Sequence, residues 1–463
     1  MNYDIIIIGS GPGGYVAGIR ASQCGMKVGI VEMAELGGVC LNCGCIPAKS
    51  LLMSAEVFNL IKNAEKYGIK INGKPGPDLS MIIKRAKMVV KGMSKGLSYL
   101  FQKNKIAHIE GRGKLVDNQT VEVTGPDGKK NNFRAKHIIL ATGARSRELP
   151  GLKQDGRKII GYREALALNN LPESMIIVGS GAIGMEFAHF YNIMGTKITL
   201  IEFMPSVVPL ADKDISVQLA RSFKQAGINI MLNSTVESID TKGKGCNVVI
   251  KTKEGNKRVR SDILLSAAGI TPNIEDIGIE DLDIKLDDGK IKVDEYYRTN
   301  VEGVYAIGDI VHGPALAHVA SKEGIICVEK IADKNPLPLR YDNIPACIYT
   351  SPEIASVGMT EKAARDAGYN IKVGKFPFSA SGKANAAGHS EGFVKLIFDA
   401  GYGELLGCCM IGANVTEMIA EIVVARNLET TGYEIINSIH PHPTMSEAVM
   451  EAAAAAYQKA IHV

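Results

Sequence analysis

Tyr3-Asp4-Ile5-Ile6-Ile7-Ile8-Gly9-Ser10-Gly11-Pro12-Gly13-Gly14 is the stretch that decides how this chain folds. An apolar run of strand length meets a glycine-rich turn, a helical stretch follows, and Val28-Gly29-Ile30-Val31-Glu32 reads as a strand ending in an acid. The order then recurs as Met175–Val178, Gly179-Ser180-Gly181-Ala182-Ile183-Gly184, a helical stretch, and Ile198-Thr199-Leu200-Ile201-Glu202. Glu32 follows Gly9 by the interval that separates Glu202 from Gly179. Two such strand–turn–helix–strand units predict an α/β protein with two Rossmann-like dinucleotide-binding domains.

Each glycine has a physical task. Gly9 and Gly179 allow the tight turn, Gly11 and Gly181 let backbone approach a pyrophosphate, and Gly14 and Gly184 permit close helix–strand packing. The phosphates then face a helix N-terminus, where amide donors and the dipole favour an anion. A lone glycine turn is a weak signal, and a single strand-end Glu is as readily a solvated acid. Here both copies carry the complete context. Glu32 and Glu202 are each expected to accept from a ribose 2′-hydroxyl. Phe203-Met204-Pro205-Ser206 follows Glu202 without an Arg or Lys to meet a 2′-phosphate, so the second site reads as NAD, not NADP.

Working outward, His137–Gly143, Asp262–Gly269 and Gly303–Asp309 are strand-like runs ending in small residues, the place where open α/β sheets bind ligands. After about Tyr341 the pattern changes to short strands such as Gly392–Phe398 and a closing Ala-rich segment, Glu451–Ala460, which reads as a separate α+β domain. At 463 residues the chain is long enough for about three domains. The lysine-rich stretch Lys84–Lys105 has apolar residues at near-helical spacing (Ile82, Ile83, Met88, Val89, Met93, Leu97, Leu100, Phe101) and reads as a helix with a solvated face.

Composition narrows the functional classes. With 46% hydrophobic and 22% charged residues and a net charge of +4, neither a nucleic-acid stripe nor a polybasic membrane patch stands out. No apolar run reaches the ~18 residues that suggest a membrane span. Met1-Asn2-Tyr3-Asp4 lacks a secretory signal, which leads to an expected cytoplasmic location, or an organelle matrix had a transit peptide been removed. Nine cysteines at irregular spacing form neither a disulfide scaffold nor a zinc cluster, so no metal site is expected.

Three of those cysteines lie together in Gly37-Gly38-Val39-Cys40-Leu41-Asn42-Cys43-Gly44-Cys45-Ile46-Pro47-Ala48-Lys49. Cys40 and Cys45 can come within disulfide range, roughly 7 Å between Cα atoms, if the helical segment is distorted. So short a loop stabilises little, which favours a redox purpose over a structural one. A cluster of small buried thiols is the alternative. Near the C-terminus, His442 and Glu447 lie in His440-Pro441-His442-Pro443-Thr444-Met445-Ser446-Glu447. A histidine held by a carboxylate suits a general base. Thr444-x-x-Glu447 equally reads as a capping box opening a helix.

The cysteine segment resembles the G-G-T-C-L-N-V-G-C-I-P-S-K signature of the flavin disulfide reductases, the pyridine nucleotide-disulfide oxidoreductase family. The resemblance runs nearly end to end, through Ala141-Thr142-Gly143, the turn ending in Glu186, Gly308-Asp309, Tyr349-Thr350-Ser351-Pro352-Glu353 and the His440–Glu447 segment. It is strongest to the dihydrolipoamide-oxidising branch. It implies FAD and NAD as cofactors and a homodimer that serves a lipoyl-bearing protein of 2-oxo acid dehydrogenase or glycine-cleavage complexes. It implies an FAD-binding domain over residues 1–146 continued at 271–341, an NAD-binding domain at 147–270, and an α+β dimerisation domain at 342–463.

Residue by residue, the resemblance makes Cys40 the thiol that exchanges with substrate and Cys45 the flavin-side thiol. Lys49 lies by the flavin and pairs with Glu186. Gly9, Gly11, Gly14 and Glu32 bind the ADP half of FAD, Ala141, Thr142 and Gly143 belong to the same site, Asp309 holds the ribityl chain, and Ala315, Leu316, Ala317 and His318 line the ring. Gly179, Gly181, Gly184, Glu186, Glu202, Val236 and Gly269 contact NAD. His442 becomes the base, held by Glu447 and serving the disulfide of the partner chain, while His440 supports the backbone. Two departures stand out: Cys43 occupies a valine position, and Ala268-Gly269-Ile270-Thr271-Pro272-Asn273 lacks an arginine common there. Glutathione-type relatives use NADPH, which the surroundings of Glu202 disfavour. Mercuric and thioredoxin types carry C-terminal cysteines that Ala453–Val463 lacks. An interaction subunit without turnover would be expected to lose Cys40, Cys45 or His442.

Overall fold

A computed structural model describes residues 2–463. By its contacts the chain divides into two compact units, one built from residues up to Leu51 with Asp78–Arg147 and Ile270–Leu339, the other from Leu52–Pro77, Glu148–Gly269 and Arg340–Val463.

In the first unit, β1 (Asn2–Ile8), β2 (Val28–Glu32) and β3 (Ala107–Glu110) are parallel neighbours in the order β3-β2-β1. On the other side of β1 lies β6 (Lys130–Leu140), also parallel to it, followed by β5 (Thr120–Thr124) and β4 (Arg112–Asp117) as an antiparallel meander. Strand Val304–Ala306 returns from much later in the sequence to pair with the end of β6. Ile5, Ile6, Ile7 and Ile30 are fully buried. A parallel sheet is covered on both faces, which is why its strands read as unbroken apolar runs. Burial of each such side chain contributes roughly 1.5–3 kcal/mol. One cover is α1 (Pro12–Gln23) packed on helix Ala317–Ile331. A Cβ on Gly324 would fall 2.8 Å from Gly13 O, so the two helices approach backbone to backbone.

The second unit contains two five-stranded sheets, beside a smaller antiparallel one of Thr235–Asp240, Cys246–Thr252 and Gly255–Ser261. Strands Asn229–Met231, Lys197–Ile201, Ser174–Val178, Ile263–Ser266 and Ile159–Ile160 form a parallel sheet in that order. The other five-stranded sheet is antiparallel, in the order Ala346–Ile348, Glu353–Gly358, Leu405–Gly412, Phe393–Asp399, Ile371–Pro377. Its core of Phe376, Phe398, Met410, Ile419, Ala448 and Ala452 gives the α+β character expected of the C-terminal region. The alanine-rich helix sits close because a Cβ on Gly374 would fall 1.8 Å from Ala452 O.

The closing helix is Glu447–Ala456, taking in most of the Ala-rich segment: Gln458 adopts φ +58° and Lys459 N–H returns to Ala454 O at 2.8 Å, ending it. The lysine-rich stretch is α4 (Leu79–Lys103), but only Ile83, Leu97 and Phe101 of its predicted apolar set are buried, while Met88 and Met93 face outward. Gly38–Lys62 passes for a membrane-crossing helix by length and composition alone, but Lys49 and Glu56 interrupt its apolar run and the helical path breaks at Gly44.

Candidate functional site

The first glycine turn separates structural glycines from an open one. Gly9 sits at φ +106°, and a Cβ there would fall 2.2 Å from Ala141 O; on Gly14 it would fall 2.0 Å from Gly9 O. Gly11, at φ −62°, would carry a Cβ with nothing within 4 Å. The protein therefore needs glycine at the first two for its own turn, while Gly11 faces free space at the start of α1, which has no side-chain cap. Uncapped amides before an open cradle fit a dinucleotide pyrophosphate.

The second turn repeats this geometry in the second unit. Gly179 has φ +103° with its Cβ position 2.5 Å from Ala267 O, that of Gly184 is 1.9 Å from Gly179 O, and that of Gly181 is open. The two acids match as well. Glu32 Oε2 accepts Ser10 N–H at 2.9 Å and its hydroxyl at 2.7 Å, and Oε1 accepts Ala34 N–H at 2.9 Å. Glu202 Oε2 accepts the same pair from Ser180 at 2.8 and 2.6 Å, and Oε1 accepts Met204 N–H at 2.8 Å. A carboxylate has about four acceptor positions, so each retains capacity for a ribose hydroxyl. Ser10 and Ser180 occupy matching places in both copies and hold these acids, a role that the glycine spacing does not signal.

The other residues expected at the two nucleotides divide between the units. In the first, Thr142 hydroxyl donates to Asn273 O at 2.6 Å and Asn273 Nδ2 to Thr142 O at 3.1 Å, with Gly143 at φ +67° between Ala141 and β-like Ala144–Ser146. Asp309 is half-buried, and desolvation raises its pKa above the usual carboxylate range. Ala315, Leu316, Ala317 and His318 form the approach to and first residues of helix Ala317–Ile331, whose N-cap makes no side-chain bond. In the second unit, Glu186 is buried and accepts Tyr349 N–H at 3.2 Å. Val236 is half-buried and Gly269 exposed.

The cysteines are set beside the first turn. Gly37 and Gly38, at φ +98° and +60°, open α2 (Gly38–Cys43), and a Cβ on Gly38 would fall 2.7 Å from Gly11 Cα. Asn42 Nδ2 bridges Leu36 O and Gly38 O, both at 3.0 Å. Gly44 then breaks the helix at φ −140° and ψ −116°, with its Cβ position 2.8 Å from Val39 O, and α3 (Cys45–Lys62) begins. The helical path is thus distorted between Cys40 and Cys45. Cys40 hydrogen-bonds Cys45, which with burial pushes the Cys40 thiol far up; Lys49, one turn into α3, acts in the opposite direction.

In the second unit, His442 Nδ1 lies 2.8 Å from Glu447 Oε1, and Thr444 N–H donates to Glu447 Oε2 at 2.8 Å. A carboxylate on Nδ1 places the proton there and leaves Nε2 as acceptor on a side chain 78% exposed. Burial would raise the Glu447 pKa, but the Thr444 amide and His442 together hold it below the usual range. The capping box is half formed. Thr444 hydroxyl donates to Pro441 O at 2.7 Å instead of capping, and the helix starts after Ser446. His440 Nδ1 faces Ser438 O at 3.1 Å and Nε2 faces Glu421 at 2.8 Å. Both partners only accept, an arrangement that favours the doubly protonated ring, and Glu421 chiefly raises its pKa.

Residues 3–324 match the family described as pyridine nucleotide-disulphide oxidoreductase, and residues 344–453 match its dimerisation domain. A dihydrolipoyl dehydrogenase of Zymomonas mobilis is 47% identical over 100% of this chain and 99% of its own length. One from Bacillus subtilis is 42% identical over 99% of each. The crystal structure of LpdA from Mycobacterium tuberculosis superposes with a TM-score of 0.91 at 28% identity, covering 97% of this chain and 98% of that one.

Proposed function

The chain belongs to the pyridine nucleotide-disulphide oxidoreductase family, and from that premise we propose that it oxidises protein-bound dihydrolipoamide to lipoamide through a Cys40–Cys45 disulfide, with NAD+ as final acceptor. The observation that carries this reading is the seating of the cysteine helix on the first nucleotide turn, Gly38 against Gly11. FAD, when bound, supplies the two-electron link between the dithiol and the nicotinamide. Gly9, Gly11, Gly14, Glu32, Thr142 and Asp309 would hold it, and Gly179, Gly181, Gly184, Glu202, Val236 and Gly269 would hold NAD. On this assignment residues 1–146 and 271–341 carry FAD and 147–270 carries NAD. The C-terminal dimerisation domain makes the protein a homodimer.

Thiol–disulfide exchange needs a thiolate, and a free thiol with pKa near 8.5 is mostly protonated at neutral pH. His442 Nε2 takes the proton of one substrate thiol, while Glu447 stabilises the resulting imidazolium. The substrate thiolate attacks Cys40 Sγ, the Cys40–Cys45 bond breaks, and the electron pair leaves on Cys45. The second substrate sulfur then displaces Cys40, closing the lipoamide disulfide, and its proton passes to the departing Cys40 sulfur. The hydrogen bond from Cys40 to Cys45 and the burial of Cys40 keep that proton on Cys40. The lipoyl group would come from a partner protein of a 2-oxo acid dehydrogenase or glycine-cleavage complex. The compartment we assign is the cytoplasm, in keeping with nine cysteines of irregular spacing. Turnover of free dihydrolipoamide with NAD+ and with NADP+ is the test. Rapid reduction of NAD+ is expected, and a preference for NADP+ or inertness toward the dithiol would overturn the reading.

A further inference from the structure

The second unit holds a buried cation that this chemistry does not use. Lys395, on strand Phe393–Asp399, is 3% exposed. Its Nζ lies 3.0 Å from Asp212 Oδ1, 3.3 Å from Asp214 Oδ2 and 2.7 Å from Glu361 Oε2. A buried ammonium is costly unless paired. Burial alone would lower its pKa, and the bonds to Glu361 and Asp212 outweigh that and raise it, so Lys395 stays charged. Asp214 also meets Lys375 at 3.1 Å and Glu361 meets Arg365 at 2.9 Å. Asp212, itself 3% exposed, is the acid that leans most on Lys395.

Asp212 joins this network to the second glycine turn. It caps helix Lys213–Gln225, accepting Asp214 N–H on Oδ1 at 3.0 Å, and its Oδ2 accepts Glu361 N–H at 3.2 Å. The segment immediately before it, residues 203–211, is the loop that leaves Glu202. In that loop Ala211 N–H donates to Val208 O at 2.8 Å. Val208 N–H donates to Ser180 O at 3.2 Å and to its hydroxyl oxygen at 3.3 Å. Val208 adopts φ +40°, a strained conformation for a β-branched residue that persists only when its surroundings enforce it. Ser180 in turn gives both of its donors to Glu202 Oε2. A path of ion pair, short loop and hydrogen bonds thus runs from Lys395 to the carboxylate assigned to the ribose.

We propose that Lys395 is a positioning residue for the nicotinamide nucleotide: through Asp212 it anchors the 203–211 loop, and so fixes Ser180 and Glu202 for the ribose. The proposal rests on reading the second turn as the NAD site. Its test compares Lys395→Met and the milder Asp212→Asn with wild-type holoenzyme. The KM for NAD+ should rise roughly tenfold with kcat near wild type. Reduction of the bound flavin by dihydrolipoamide, followed without NAD+, should be unchanged, and Lys395→Arg should recover most of the affinity. Should Lys395→Met not fold, Asp212→Asn alone decides. Glu202→Gln is the control for the underlying site: if it leaves the KM for NAD+ unaltered, the site assignment itself fails. If it raises that KM while Lys395→Met and Asp212→Asn do not, the positioning role is overturned. Equal losses in flavin reduction and in NAD+ affinity overturn it too, as general disruption.

Discussion

Glu447 Oε1 sits 2.8 Å from His442 Nδ1, while its other oxygen takes the Thr444 amide, so one carboxylate fixes both a ring and the backbone beside it. His442→Ala should lower dihydrolipoamide turnover by roughly 10²–10⁴-fold, the usual worth of a general base. Glu447→Ala should lose less, since the ring remains but its tautomer is no longer set. Steady-state rates with the flavin still bound measure both. Because Glu447 is held below its ordinary pKa, its contribution to stability is present at neutral pH and is lost as pH falls through the folded value. Thermal melts of wild type and Glu447→Gln should therefore converge in acid.

Subunit sharing can be tested by mixing. His442 lies in the dimerisation segment, far in sequence from Cys40. A symmetric dimer can join such residues across its axis. We expect Cys45→Ser and His442→Ala dimers, each inactive, to regain activity after dissociation and reassociation, approaching one wild-type site per mixed dimer. No recovery despite confirmed exchange would mean that His442 serves the disulfide of its own chain.

Glycine substitutions separate folding from nucleotide binding. Gly14→Ala places a Cβ 2.0 Å from Gly9 O and should fail to yield folded protein. Gly11→Ala has room, at an ordinary φ of −62°, so the chain should fold but purify without flavin colour. Gly181→Ala should stay yellow and show a raised KM for NAD+, since its Cβ too meets nothing within 4 Å of protein. Absorbance spectra and melting curves distinguish these outcomes, and full flavin occupancy in Gly11→Ala would contradict the pyrophosphate assignment.

The three cysteines should behave differently. Partial reduction of wild type should produce absorbance to the red of the flavin band, and Cys45→Ser should abolish it. A band that survives would show that Cys45 is not the flavin-side thiol. Cys43→Val should keep most turnover, because Cys43 lies on α2 outside the Cys40–Cys45 contact. A large loss with flavin retained would place Cys43 in the exchange.

The sequence by itself determined both glycine-rich turns, the acids after them and the break in the cysteine segment. Each of these is a local feature, in which spacing over a few residues sets turn geometry and glycine is required by sterics with near neighbours. The break between Cys40 and Cys45 follows from Gly44 in the same local way. Tertiary structure decided what depended on distant partners. Strand Val304–Ala306 completes a sheet begun at β1, and Asn273 ties Thr142, because buried backbone and polar groups must find partners wherever the fold supplies them. Thr444 was equally plausible as a helix cap until its hydroxyl turned to Pro441 O and left Glu447 to hold His442. Lys395 reads as one more strand lysine among the chain's 53 basic residues. Only the fold buries it against Asp212, 183 positions away, where a charge removed from water has to be paired.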